Sequence, residues 1–261
     1  MMAFGHWQIG LHIQQSGVYG VALIREKTQW ALRRWWQVPL ADDVVVDGQI
    51  RQFDLLSQTL LPWSKTLPRR HHIRLAFPAG RTLQKTFPRP AMRLGERERL
   101  SWMTGSLARE LDMAGEDLRF DYSEDSLQDA YRVTAAQHKE IADVLELARS
   151  LRLHVAAITP DACALQRLIP LLAPPARWLI WRDPGQWLWA TRERWGRYPA
   201  QGIDSPQALA LKLGLDPALG QVCEAATGFD AWCAVAHRQP PLPVNGDAWA
   251  IAIGLALGEA R

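Results

Sequence analysis

Cysteine is scarce in this chain of 261 residues, and the three present, Cys163, Cys223 and Cys233, form neither a C-x-x-C pair nor an even framework. That excludes a disulfide-built secreted module and points to a reducing compartment. Cys163, inside the apolar DACALQRLIPLL pattern, reads as a small buried hydrophobe. Long hydrophobic runs are also missing. The nearest, WAIAIGLALG, falls well short of the roughly 18 residues that a membrane-crossing helix takes. The first apolar stretch is broken by His12, Gln14 and Gln15 and alternates like a strand, so a soluble, cytoplasmic chain without a leader is expected. Neither sign of charge dominates: Lys and Arg number 30 against 27 Asp and Glu, a net +3, with a pI near 8.9. This balance permits an acidic partner or an anionic surface and does not demand nucleic acid.

Motifs of covalent and metal chemistry are missing as well. The chain has no G-x-S-x-G, no Cys/His nucleophile signature and no Gly-Lys-Ser/Thr end to any glycine stretch. His71 and His72 open a strand, so they point to opposite faces and cannot share a metal, and a solvated strand entry is expected. His138 and His154 read as isolated helix residues. FDYSEDSLQD lacks the spacing and the glycine of a calcium loop and reads as a solvated acidic turn. REKTQWALRRWW (25–36) and LPRRHHIR (67–74) interleave cations with aromatics, as a single-strand groove would. Strand alternation with a wet basic face explains most of that pattern, so direct nucleic-acid binding stands as a lesser alternative.

What the chain does have is apolar content, 48%, and 13 tryptophans. Trp35 and Trp36 form one cluster, and Trp178, Trp181, Trp187 and Trp189 another. Core and edge packing of strands is the plain explanation; a partner-facing surface is the sharper one. Residues 7–13, 18–25 and 28–38 alternate as three strands joined by short turns. Phe53, Leu56, Leu60 and Leu61 follow at helical spacing before Pro62, then HHIRLAFP and TLQKTFPRP as strands. An amphipathic helix carries Leu100, Met103, Leu107 and Leu111 on one stripe. LRFDYSEDS and YRVTAAQ read as strands, and HKEIADVLELARSLRL as a strong helix. VAAITP is a strand, and DACALQRLIPLL a helix with Asp161 as its N-cap candidate.

After the APPA break at 173–176, WLIWRDPGQWLWATRERW reads as a hairpin turning at Asp183-Pro184-Gly185. SPQALALKLGL is a short helix and ALGQVCEA a strand. A Pro-rich loop leads to a terminal helix, where Gly254 and the alanines suit close packing. No internal repeat is visible. The class is α/β with mixed sheets.

Three segments together resemble the PilM-like proteins, actin-like and FtsA-related cytoplasmic components of type IV pilus assembly. IGLHIQQSGVYGVAL is similar to their opening hairpin. LAFPAGRTLQKTFPRPAMRLGERERLSWMTGSLARELDMAGEDLRFDY is similar to their inserted subdomain, and VTAAQHKEIADVLELARSLRLHVAAITPDACALQR to their return; AIAIGLALG resembles the final helix. The resemblance implies an actin-like ATPase fold, with two halves around a cleft and an insertion in the first. Residues 1–70 would begin the first half, 71–133 would be the insertion, 134–175 the return, and 176–261 a shortened second half. It also implies ATP in the cleft, and a groove between the first subdomain and the insertion. That groove would hold the cytoplasmic N-terminal tail of a bitopic inner-membrane partner of the PilN or HofN type, placing the protein at that membrane's inner face.

The departures from the family bear on the cleft. Its first phosphate hairpin, G-[IL]-D-I-G-S, stands here as Gly10-Leu11-His12-Ile13-Gln14-Gln15, followed by Ser16 and Gly17. An acid has become His12, and a permissive glycine has become Gln14, whose side chain would crowd a phosphate. The family's Lys falls at Tyr19. The second hairpin's D-I-G lines up with Trp181-Arg182-Asp183, and TGFD (227–230) is the nearest remnant of an adenosine turn. A degenerate nucleotide site at Gly10, His12, Gln14, Ser16, Gly17, Trp181 and Asp183 is therefore expected, with no catalytic residue, metal or cofactor. The alternative is a working ATPase that relies on Ser16, Gly17 and Asp183. The partner groove is expected near Leu75, Phe77, Pro78 and Leu83, facing 155–165, and a homo-oligomer stays open.

Overall fold

The computed structural model describes residues 6–125, 128–244 and 246–258. The chain divides into a larger body, residues 1–80 with 148–261, and a smaller one, residues 81–147.

The larger body opens as a meander of β1 (Trp7–Ile13), β2 (Gly17–Glu26) and β3 (Gln29–Pro39). A two-strand ribbon of β4 (Val45–Val46) and β5 (Gln49–Ile50) leads to α1 (Phe53–Ser64). That helix runs through Pro62 instead of ending before it. In the last turn a proline forfeits only one backbone bond, so the break expected at this position is not enforced. Strand β6 (His71–Phe77) then pairs in parallel with β1, and after the smaller body β10 (Val155–Pro160) pairs in parallel with β6. The sheet order is β10-β6-β1-β2-β3. Since β6 lies inside this sheet, the smaller body starts at Arg81, ten residues later than the sequence boundary at 71, and runs to 147 rather than 133.

The second half of the larger body repeats that arrangement. The antiparallel meander β11 (Trp178–Arg182), β12 (Gln186–Thr191) and β13 (Trp195–Pro199) is joined by β14 (Gly220–Val222), parallel to β11. The order β14-β11-β12-β13 matches β6-β1-β2-β3. This repeat has no counterpart visible in the sequence, because a meander constrains alternation and turns and leaves residue identity open. β13 itself was not expected, and the 218–225 strand shrinks to three residues.

Two helices join the halves into one core. α4 (Asp161–Leu165) ends much earlier than the expected helix to 172. Pro170, which lacks an amide donor and restricts Ile169, gives a tight turn over Ile169–Leu171 instead. α6 (Ala250–Leu257), preceded by a turn over Gly246–Trp249 and by α5 (Pro206–Leu213) further back, is buried from Ala250 through Ala256. Such an all-round apolar helix belongs in a core. Gly10 makes room for it: a Cβ there would sit 1.9 Å from the Ala252 carbonyl oxygen. At Gly254 a Cβ would lie 2.4 Å from the carbonyl oxygen of Ala164 on α4, in keeping with the expected close packing. One cluster therefore spans both sheets, including Val21, Leu23, Leu165, Leu179, Trp181, Leu188 and Ile253. Cys223 is the buried cysteine, whereas Cys163 is half-buried.

The smaller body is a three-stranded antiparallel sheet with one helix packed on it. β7 (Thr82–Pro88) and β8 (Leu118–Asp125) flank β9 (Ala130–Gln137), so both outer strands are edges. α2 (Glu96–Leu111) starts where Glu98 accepts the Gly95 amide at 2.9 Å, and α3 (His138–Ser150) carries the chain back. Met103 and Leu107 pack with Leu118, Tyr131 and Val133, while Leu100 at the end of the stripe is exposed. The acidic turn is not simply solvated: Glu124 pairs with Arg89 at 2.7 Å and Arg99 at 3.1 Å, beside the Tyr122 and Tyr131 rings.

Candidate functional site

The two meanders bring their first hairpins toward one region of the larger body, and this is where the sequence placed its candidates. His12, next to last in β1, is 4% exposed and meets the Trp181 ring edge-on, with centroids 5.5 Å apart. The Gln14 side-chain amide donates to His12 Nδ1 at 3.0 Å and to the Ala248 carbonyl at 3.2 Å. Because an amide nitrogen only donates, His12 Nδ1 accepts and the ring is neutral, with its proton on Nε2. Burial agrees, pushing the His12 pKa down to about 3. Trp181 Nε1 donates to the Asp247 carbonyl at 2.9 Å, and the Asp247 carboxylate accepts from the Ala225 amide at 2.8 Å.

The turn between β1 and β2 is closed by its own backbone: the Gln14 amide donates to the Gly17 carbonyl at 2.8 Å, and Leu40 donates to Ser16 O at 3.2 Å. Ser16 is exposed and Gly17 buried. Tyr19, at the family's Lys position, is 8% exposed and meets Trp249 edge-on at 5.0 Å. Trp249 also meets Trp35 at 5.3 Å and donates to Trp36 O at 3.0 Å. Imidazole, indoles and phenol thus occupy the neighbourhood where the resemblance to PilM-like proteins implies an acid, a lysine and phosphates.

The second hairpin behaves differently. Asp183 accepts from the Gly185 and Gln186 amides at 2.8 and 2.9 Å and from the Gln186 side chain at 3.1 Å. It holds its own turn. Arg182 lies over the Trp187 ring at 4.6 Å. Among the described residues, no three His, Cys, Asp or Glu side chains converge to hold a metal ion.

One functional group escaped the sequence reading. Asp161 is not the N-cap of α4, a position Pro160 takes. It is a buried acid whose Oδ1 accepts from the Ala79 and Ala162 amides at 2.9 and 2.7 Å. Burial raises its pKa to about 7, with the Asp183 charge adding to the rise and Arg197 opposing it. An Asp at the head of an apolar helical pattern made an N-cap the natural inference; nothing local announced burial.

The four groove candidates are dispersed. Leu75 and Phe77 are each 3% exposed in β6, which is flanked on both sides by β1 and β10. An inner strand buries both faces here, so these two are core and not groove lining. Pro78 is half-buried at the end of that strand. Leu83, half-buried, lies in the other body, opposite Ala135 on β9. In the 25–36 stretch, Arg33 pairs with Glu26 at 2.9 Å, Arg25 lies over Trp30 at 5.4 Å, and Trp35 donates to Pro241 O at 2.9 Å. Trp30 and Trp35 pack against the core, which leaves little face for base stacking.

The duplicated meander joined through α4 and α6 is the actin-like ATPase fold. It is shared with solved structures titled PilM-PilN type IV pilus biogenesis complex, at a TM-score of 0.70 and 16% identity over 95% of this chain and 97% of that one. It is shared too with the cytoplasmic domain of EpsL, an inner membrane component of the type II secretion system of Vibrio cholerae. There the TM-score is 0.61 and the identity 11%, over 97% and 95% of the two chains. No protein-family model matches the chain. The DNA utilization protein HofM of Escherichia coli (strain K12) is 57% identical over 259 residues, 99% of this chain and 100% of that protein. The chain belongs to the HofM family.

Proposed function

We propose that this protein is a non-catalytic scaffold of a type IV pilus-like or DNA-uptake assembly at the inner membrane, one that grips the cytoplasmic tail of a PilN/HofN-type partner. The observation that carries the non-catalytic part is the plug of His12, Gln14 and Trp181. A bound triphosphate and its Mg²⁺ need free backbone amides, a cation and carboxylates around the metal's waters. Here the Gln14 amide is spent inside the turn, the neutral His12 is locked under an indole, and three of the acceptor positions of Asp183 are taken by its own hairpin. Several charge-assisted bonds at roughly 1.5–3 kcal/mol each are thereby forgone, enough to take micromolar affinity out of the measurable range. The residues in place do not fit the nucleotide.

The partner reading is supported by the HofM relationship and by the likeness to the PilM-PilN complex. Among the described residues no helix is long and apolar enough to cross a membrane. Of the four groove candidates, Pro78 and Leu83 keep accessible surface. Leu83 lies on an edge strand, the kind of element that adds main-chain bonds to an extended peptide. Titration of the protein with the partner's synthetic N-terminal tail, followed by fluorescence anisotropy, should give saturable binding that Leu83→Asp weakens; a tail that does not bind the wild type sinks the scaffold reading. A nucleotide-driven switch is the competing reading, favoured by the acids Asp161 and Asp183. Calorimetric titration with Mg-ATP at low salt separates the two: no heat is expected, and micromolar binding lost in Asp183→Ala would establish the switch.

A further inference from the structure

At the end of the larger body's first sheet, where β6 and β10 begin, the last turns of α1 and α3 border a half-open cavity of about 680 Å³. Its apolar lining comes from Leu61, Leu67, Pro68 and Leu151. The charged residues that line it are Lys65, Arg69 and Arg152, all exposed, and no Asp or Glu lines it. Among the described residues none of these three cations forms an ion pair.

Cations at helix C-termini often serve only to complement the helix dipole, and that explanation is insufficient here. The last carbonyls are already bonded: Leu61 O by the Lys65 amide at 3.3 Å and Ser64 Oγ at 3.0 Å, and Trp63 O by the Thr66 amide at 2.9 Å and hydroxyl at 2.7 Å. On α3, Arg149 O and Ala148 O accept from the Arg152 and Leu153 amides at 3.0 and 2.9 Å. Two helix ends carry together about one negative charge equivalent, which leaves the three cations with an excess of positive potential. Arg152 is also held in the left-handed region, at φ 54°, which a residue with a long side chain rarely adopts.

The wall beside the rim is preorganised. Contrary to the solvated strand entry expected for His71, its ring is 5% exposed and stacks on His154 at 4.9 Å with an interplanar angle of 16°. His154 lies in the loop before β10 and not on a helix. His71 Nε2 accepts the His154 amide at 3.2 Å, so Nδ1 bears the proton and donates to Pro68 O at 2.6 Å.

We infer that this cavity binds the phosphate headgroup of an anionic membrane lipid. Volume and chemistry match: apolar walls with a few convergent polar groups are what ligand sites show, and clustered Lys and Arg attract anionic lipid headgroups. An extended peptide is the poorer occupant: it could add only along β10, the free edge of this sheet, and main-chain pairing there makes no use of the three cations that rim the cavity. A membrane also uses what surrounds the cavity, where Arg70 and Arg149, next in sequence to its lining, are exposed. This inference stands apart from tail binding and would supply a direct membrane contact.

The test is co-sedimentation of the full chain with phosphatidylglycerol vesicles against phosphatidylcholine vesicles at physiological salt. Binding to the first and not the second is expected, weakened at least tenfold in Arg69→Ala/Arg152→Ala. It should be unchanged in Arg192→Ala/Arg194→Ala, which removes the same charge from exposed positions elsewhere. Failure to bind phosphatidylglycerol overturns the inference. Equal weakening by both double variants overturns it as well, since diffuse charge would then be the cause. Calorimetry with soluble glycerol phosphate completes the set: binding that depends on Arg69 and Arg152 while vesicles are ignored would reassign the cavity to a soluble organophosphate. Thermal melts of the variants, expected to match the wild type, show that binding and not folding has changed.

Discussion

The β1–β2 and β11–β12 hairpins occupy matching places in two meanders of the same order, yet they have gone separate ways. The first spends its polar groups across the interface between the halves: Gln14 reaches Ala248, and His12 lies against Trp181. The second spends Asp183 on its own turn, within three residues. In one the imidazole is part of the core; in the other the carboxylate is only half-buried. Substitutions at the two hairpins should therefore differ in size, and that difference can be measured.

Trp181→Ala should have the largest effect. The ring is 3% exposed, packs with both sheets, and donates to Asp247 O. Removal of a buried Trp costs about 3–5 kcal/mol, to be read from urea midpoints at constant m. Gly10→Ala should follow at about 3 kcal/mol, because the added methyl meets the backbone of α6 and no flexible side chain can yield. A loss below 1 kcal/mol in either variant would mean that the halves are not tied through this hairpin.

The meander strands, the turn at Asp183-Pro184-Gly185 and the buried terminal helix were legible in the sequence, because alternation, turn chemistry and an unbroken apolar run each declare themselves locally. The plug was half legible: His12 and Gln14 stood out as wrong for a phosphate grip, but what they touch, Trp181 and Ala248, lies more than 160 residues away. His71, Asp161 and Leu75 were misjudged for a shared reason. A strand entry, a residue after proline and an apolar β position look alike whether they end in solvent or under a neighbouring element, and only the parallel pairing of β6 with β1 and β10 decides it. Likewise α4 stops at Leu165 for a reason visible in Pro170, whereas α1 continues past Pro62 because that proline falls in its last turn.

Acid sharpens the contrast between the halves' buried groups. His12 has a folded pKa of about 3 against 6.5 unfolded. Below pH 6.5 the unfolded chain takes up the proton first, so this contribution is complete above 6.5 and is lost on the way to 3. Asp161, raised to about 7 from 3.8, has the opposite sign: the folded chain holds the proton between those values, so stability rises as pH falls from 7. Each is worth about 2–3 kcal/mol between pH 7 and 4.5. The wild type should change less over that interval than either variant. His12→Leu should gain stability on acidification, and Asp161→Asn, which can still accept from Ala79 and Ala162, should lose more. His71, also lowered by burial, adds to the His12 direction. Urea midpoints at the two pH values decide it, and parallel shifts in all three proteins would show that neither group is coupled to folding as described.

The smallest effect should come from Asp183→Ala. Its bonds to the Gly185 and Gln186 amides are local to the turn, and water can replace them at a half-exposed position, so a cost of about 1 kcal/mol is expected. That value only sharpens the comparison when set beside Gln14→Ala, whose side chain bridges from His12 to the Ala248 carbonyl inside the body. Loss of the two bonds that Gln14 donates there, one of them to a buried imidazole, should cost about 2 kcal/mol. If Asp183→Ala proves the more damaging of the two, the second hairpin carries more of the fold than its local bonding allows. Its carboxylate would then have to contribute through its charge, which already acts on the buried Asp161 against that of Arg197.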